Sequence, residues 1–167
     1  TKVPNGTSIY DTLPVCKVKR NADGTIAKHK FRLTSRGDQF CEPEVRTNSP
    51  TCLTSSFKAA CAVAALDPNM EVCSFDVTSA FCQGSPVAGR IRYARAPVGM
   101  RTYDENGIEL VLVLGAPLYG EPDAPLVWNN TFSKFVCGSP APNGSLDAGL
   151  GMCRSDADPS LFYKRFG

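Results

Sequence analysis

The chain has 167 residues, 43% of them hydrophobic, with 13 prolines, 14 glycines and a formal net charge of +2. That suits one globular domain hiding about two-thirds of its unfolded surface, and no apolar run reaches the roughly 18 residues that would span a membrane. Of the eight cysteines none is spaced Cys-x-x-Cys, and there is a single histidine, His29, which argues against a structural zinc site.

Residues 1–13 are polar and rich in turn formers and are expected to form an extended arm ahead of one domain, 14–167. Segments 15–20 and 25–33 flank Asn21-Ala-Asp-Gly24, a strong hairpin signal. Strand alternation puts Lys28, Lys30 and Arg32 on one face, with Lys17 and Lys19 alternating likewise. The other face carries Ala27, His29, Phe31 and Leu33, with Cys16 and Val18. Residues 38–50 read as loop. Thr51 is placed to cap a helix running to about Leu66, with Leu53, Phe57, Cys61 and Ala64 on one side. Asp67-Pro-Asn69 stops it. A strand over 71–77 follows, then short strands at 91–93 and, buried, at 109–114, with a turn at 101–107 between them. A second helix starts within 122–125 and carries Leu126, Val127, Phe132, Phe135 and Val136. Residues 138–150 read as loop, and Phe162 and Tyr163 close as a short strand. This order predicts an α+β fold: an antiparallel sheet with packed helices. Cys52, Cys61 and Cys73 lie in apolar segments and are expected to be reduced and buried.

Two features suggest chemistry. Asp76 ends the apolar stretch Val72-Cys-Ser-Phe-Asp76-Val, where a charge is costly unless capped, paired or bound to metal. Residues 17–36 hold Lys17, Lys19, Arg20, Lys28, Lys30, Arg32 and Arg36 against Asp23 alone, while the remainder of the chain is net acidic. A basic stripe of this kind is either a solvated face or a phosphate-binding one.

Four blocks in order resemble the reverse transcriptases of copia/Ty-class retrotransposons, over roughly residues 14 to 165. The segment from Cys73 through Asp76 and Phe81 to Gly84 resembles that family's first catalytic motif. Lys17–Gly24 with Lys30-Phe-Arg32 and Arg36-Gly37 resembles its fingers hairpin. Leu118-Tyr-Gly120 with Ala124-Pro125 and Trp128 resembles the stretch before its palm helix. Ser155-Asp-Ala-Asp158-Pro159 through Lys164 resembles the strand leading to its paired aspartates.

The resemblance implies an incomplete polymerase fingers/palm unit. Asp76 would match the aspartate that holds the catalytic Mg2+ ions, and Phe81 the aromatic against the sugar. Lys30, Arg32 and Arg36 would face the incoming nucleotide, with Asp123 at the position of a nucleotide-contacting amide. The chain departs from the family where two basic residues are replaced by Glu121 and Asp123, and the paired aspartates do not occur before Gly167. Asp76 is therefore expected to be vestigial, with no cofactor, and the chain to act as a non-polymerising structural or interaction subunit of a larger assembly. Nucleic acid would be held, if at all, by Lys17, Lys19, Lys28, Lys30 and Arg32. An RNA-directed DNA polymerase belonging to a longer polyprotein, using Mg2+, is the first alternative. A secreted disulfide-bonded module, suggested by the eight cysteines and sequons at Asn5, Asn129 and Asn143, is the second. No signal peptide is evident, and an intracellular location is the expectation.

Overall fold

The turn at Asn21 to Thr25 is built by its own side chains. The Asp23 carboxylate accepts from the Thr25 N–H at 2.9 Å and from its hydroxyl at 2.6 Å. Gly24 takes φ of 85°, a conformation that side chains disfavour. The turn joins β1 (Ile9–Arg20) to β2 (Ile26–Ser35) as an antiparallel ribbon. The computed structural model describes residues 3–40, 45–85, 90–140, 146–147 and 149–164. Residues 9–13, expected in the arm, are thus the first part of a strand.

The register bears out the two-faced ribbon. Lys17 lies opposite Lys30 and Lys19 opposite Lys28, while Cys16 lies opposite Phe31 and Val18 opposite His29. The start of β1 pairs in parallel with β3 (Arg92–Arg95), and β3 pairs antiparallel with β4 (Leu112–Leu114). The order is β2-β1-β3-β4. The α+β class stands, but the sheet is mixed and not purely antiparallel: β1 extends past the hairpin, and its start takes β3 as a parallel neighbour.

The two helices are α1 (Thr54–Leu66) and α2 (Ala124–Cys137). α2 begins with proline in its first turn, a residue that loses no helical hydrogen bond there. It buries Ala124, Val127 and Val136 and packs against the short helical turn Ala80–Gln83 and against β7 (Cys153–Arg154). β7 pairs with β8 (Phe162–Tyr163). Within the predicted 138–150 loop, β5 (Ser139–Pro140) pairs with β6 (Leu146–Asp147). Residues 141–145 and 148 lie outside the described residues.

α1 differs from its prediction. It starts at Thr54, with Leu53 and not Thr51 at its cap, and no local side chain caps it. Its capping group arrives from far along the chain. Asp158 is 1% exposed, and its carboxylate accepts from the Leu53 N–H at 2.9 Å and from the Ser160 N–H at 2.9 Å. A carboxylate at a helix N-terminus is favoured by the unpaired amides and the helix dipole. The Ser56 hydroxyl and the two amides hold the Asp158 pKa down at about 2. α1 has no buried residue.

Two predicted strands are corrected. Residues 71–77 join no ladder among the described residues, and Val72 and Phe75 are 70% and 81% exposed. The predicted buried strand over 109–114 is a ladder strand only at β4, a sheet edge, where Leu112 and Val113 remain exposed. Apolar composition called for strands here, but no neighbouring strand or layer covers them. The cysteines follow suit: the seven described ones carry free thiols, yet Cys16, Cys52, Cys73 and Cys153 are exposed, not buried. Cys41 lies outside the described residues.

Candidate functional site

The site is a groove along the outer edge of β2. Its lining comes from Lys28 to Leu33 on β2, Asp76 to Ser79, Cys82, Leu118 and Tyr119, around a volume of about 540 Å³. Ligand clefts commonly span about 300–1,000 Å³. Three elements far apart in sequence meet here because the loop carrying Leu118-Tyr-Gly120 docks on the end of β2. The Ser35 N–H donates to the Tyr119 carbonyl at 2.7 Å, and Thr34 and Tyr119 form a parallel bridge. Gly120 makes the docking possible. It holds φ of 88°, and a Cβ there would lie 2.2 Å from the Ser35 carbonyl oxygen.

Charge in the groove is lopsided. Lys28, Lys30 and Arg32 line it with Asp76 as the one carboxylate. The Lys30 ammonium is pushed below its ordinary pKa, chiefly by the positive charges of Lys19 and Arg32, while Asp76 acts weakly in the other direction. Among the described residues, no ion pair involves Lys17, Lys19, Lys28, Lys30 or Arg32. Arg32 instead places its guanidinium 5.4 Å from the Tyr119 ring centroid, within cation–π range. The Phe81 ring also neighbours Tyr119, with ring centroids 5.5 Å apart and the planes tilted by 53°. Ser79 closes the wall in the left-handed conformation, φ 53°, at a cost of about 1–2 kcal/mol. The Cys82 thiol is raised by burial and then by the Glu121 charge, so it stays protonated and is a poor nucleophile.

The residues singled out from sequence therefore divide. Lys30, Arg32 and Asp76 share the groove, and Phe81 does not line it but packs against Tyr119, which does. Arg36 does not line it, being paired with Asp38 at 2.5 Å on the surface. Asp123 is withdrawn altogether. It is 2% exposed, and Arg92 grips it in a fork, Nη1 to Oδ1 at 2.9 Å and Nη2 to Oδ2 at 2.8 Å. Arg90 adds a contact at 3.2 Å, and Arg92 also reaches Glu121 at 2.5 Å. The two acids that depart from the family pattern thus bind the 118–123 loop to β3. Burial raises the Glu121 pKa against the pull of Arg92. Sequence reasoning missed this cluster. Its signal was present: Arg90 and Arg92 are spaced by two, as are Glu121 and Asp123.

A pair of divalent cations does not fit this donor set. Among the described residues no group of three His, Cys, Asp or Glu side chains gathers, and Asp76 is exposed amid cations. Two-metal sites need several hard oxygen donors.

Comparison with protein-family models, with curated proteins and with solved structures yields no match. Among the described residues no helix is long and apolar enough to cross a membrane.

Proposed function

We propose that the chain is a reverse-transcriptase-like fingers/palm fragment that does not polymerise and serves as an interaction subunit of a larger assembly. One observation carries the interaction role: large apolar side chains stand exposed on α1 and on the segment that follows it. Leu66 and Phe75 are more than 80% exposed, and Phe57 and Val72 more than 60%. Apolar area of this kind is stabilised by burial, at about 25 cal/mol per Å², and marks surfaces that another protein covers. The charge of the groove supports the loss of chemistry. One carboxylate among Lys28, Lys30 and Arg32 attracts anions and does not hold paired cations.

Primer extension with Mg2+ or Mn2+ tests the reading. The purified chain is expected to extend no primer; extension above an Asp76→Ala control ends the proposal. The RNA-directed DNA polymerase alternative is decided separately, by the sequence that follows Gly167: a pair of aspartates within a few dozen residues there revives it. The polymerase reading draws on one fact, the meeting of Asp76 with Lys30 and Arg32 in a single groove. A disulfide-bonded module finds no such support, since the seven described cysteines are unpaired.

A further inference from the structure

The geometry points to the outer edge of β2 as a docking site for an extended acidic segment of a partner protein, which pairs with it as an added strand. This deepens the interaction-subunit reading and rests on it.

The direction of the backbone groups follows from two hydrogen bonds. Arg36 donates its N–H inward to the Asp11 carbonyl at 2.9 Å, and Ser35 donates outward to Tyr119 at 2.7 Å. Neighbouring residues of an antiparallel strand point their amides to opposite sides with a period of two. Counting back from Ser35, the N–H and C=O groups of His29 and Phe31 face outward, while those of Lys28, Lys30 and Arg32 face β1. β2 is terminal in its sheet, and among the described residues the Thr34–Tyr119 bridge is the only pairing on its outer side. The edge next to that bridge opens into the 540 Å³ groove. An open row of strand amides is a template for another strand.

The occupant follows from charge. An added strand sets its side chains alternately beside the two faces of β2. On one face it meets Lys28, Lys30 and Arg32, with Lys17 and Lys19 one strand further in. Acidic residues at alternate positions satisfy these cations. On the other face it meets His29, Phe31 and Leu33, which favours apolar residues between the acids. A second copy of β2 is unsuitable, because its own lysines and arginine would oppose these. A nucleic acid satisfies the cations but leaves the outward amides of His29 and Phe31 unmatched at strand spacing. Carrying charge at every step, it also meets Asp76 on the facing wall.

The test uses the whole chain and a short blocked peptide of alternating glutamate and valine, with alternating lysine and valine as control and single-stranded oligouridylate as competitor. Binding is read by fluorescence anisotropy and by amide hydrogen exchange. The glutamate peptide is expected to bind, the lysine peptide not, and the outward amides of His29 and Phe31 to gain protection in the complex. Phe31→Pro removes an outward donor while leaving the β1 ladder its bonds. It should weaken binding about tenfold, and Lys30→Gln about threefold. Should Phe31→Pro unfold, the exchange experiment on the unaltered chain still decides. Binding without added protection at His29 and Phe31, tight oligouridylate binding indifferent to Phe31→Pro, or no peptide binding overturns the inference. Primer and nucleotide are absent throughout, so this result and polymerase activity are read separately.

Discussion

Arg92 and the hairpin lysines carry the same charge in opposite settings. The Arg92 side chain is 9% exposed, sits over the Phe40 ring at 5.0 Å, and is matched by Glu121 and Asp123. Lys17, Lys19, Lys28 and Lys30 face one another across an exposed ribbon with no acid paired to them among the described residues. The first cluster joins β3 to the 118–123 loop, and its charge is neutralised internally. The second spends stability: like charges directly opposite on a ribbon repel. A fold that keeps such repulsion on its surface leaves that charge for something outside it, whereas the Arg92 cluster has none to offer.

The sharpest way to break the comparison is at Arg92. Arg92→Leu leaves buried Glu121 without its cation and Asp123 with Arg90 alone, and urea unfolding is expected to show a loss of about 3–5 kcal/mol. A loss below about 1 kcal/mol would mean that the cluster does not hold the loop to the sheet. Glu121→Gln comes next. The folded state binds the Glu121 proton more tightly than the unfolded chain does, because burial disfavours the charged form. Its contribution to stability is complete below pH 4.5 and is lost as pH rises through the higher folded value. The amide variant should lack that decline and be no less stable than the parent at neutral pH. Stability measured across pH 4 to 8 checks both statements. On the ribbon the sign reverses. Lys19→Glu puts an acid opposite Lys28 and near Lys30 and should stabilise the chain at low salt, by less than either effect at the buried cluster. A destabilisation there would remove the claim that the stripe is kept at a cost.

What the sequence made legible follows the range of the interactions. The hairpin was readable because Asn21, Asp23 and Gly24 encode their turn locally and alternation encodes the faces. α2 was readable from proline at its start and its apolar side. The strand over 71–77 was misread because an apolar run specifies burial, not which neighbour provides it. The α1 cap was misread for a similar reason: Thr51 is near in sequence, but Asp158, 105 residues from Leu53, makes the bond. Asp123 shows the same limit at the site. Its position in a familiar block suggested a nucleotide contact, while Arg92, 31 residues away, decides where its carboxylate points. Lys30, Arg32 and Asp76 were singled out from separate blocks, and the docking of Tyr119 on Ser35 brings those blocks together.

The smallest effect probes that meeting most directly. Lys30 titrates below its ordinary value of 10.5, chiefly because Lys19 and then Arg32 repel its proton, while Asp76 alone among the named charges draws it back. A lysine whose folded pKa is depressed adds stability as pH rises through the folded value, and the gain is complete above 10.5. Lys19→Gln should therefore move the Lys30 midpoint upward, and Asp76→Asn should move it further down, each followed by NMR of the side-chain carbons next to the ammonium. The two shifts have opposite signs for one reason: a cation has been removed in the first variant and an anion in the second. If Asp76→Asn leaves the Lys30 midpoint in place while Lys19→Gln moves it, the ribbon is built as described but the 76–79 segment does not wall its edge. The groove would then be lost as a site, and the buried Arg92 cluster would stand as before.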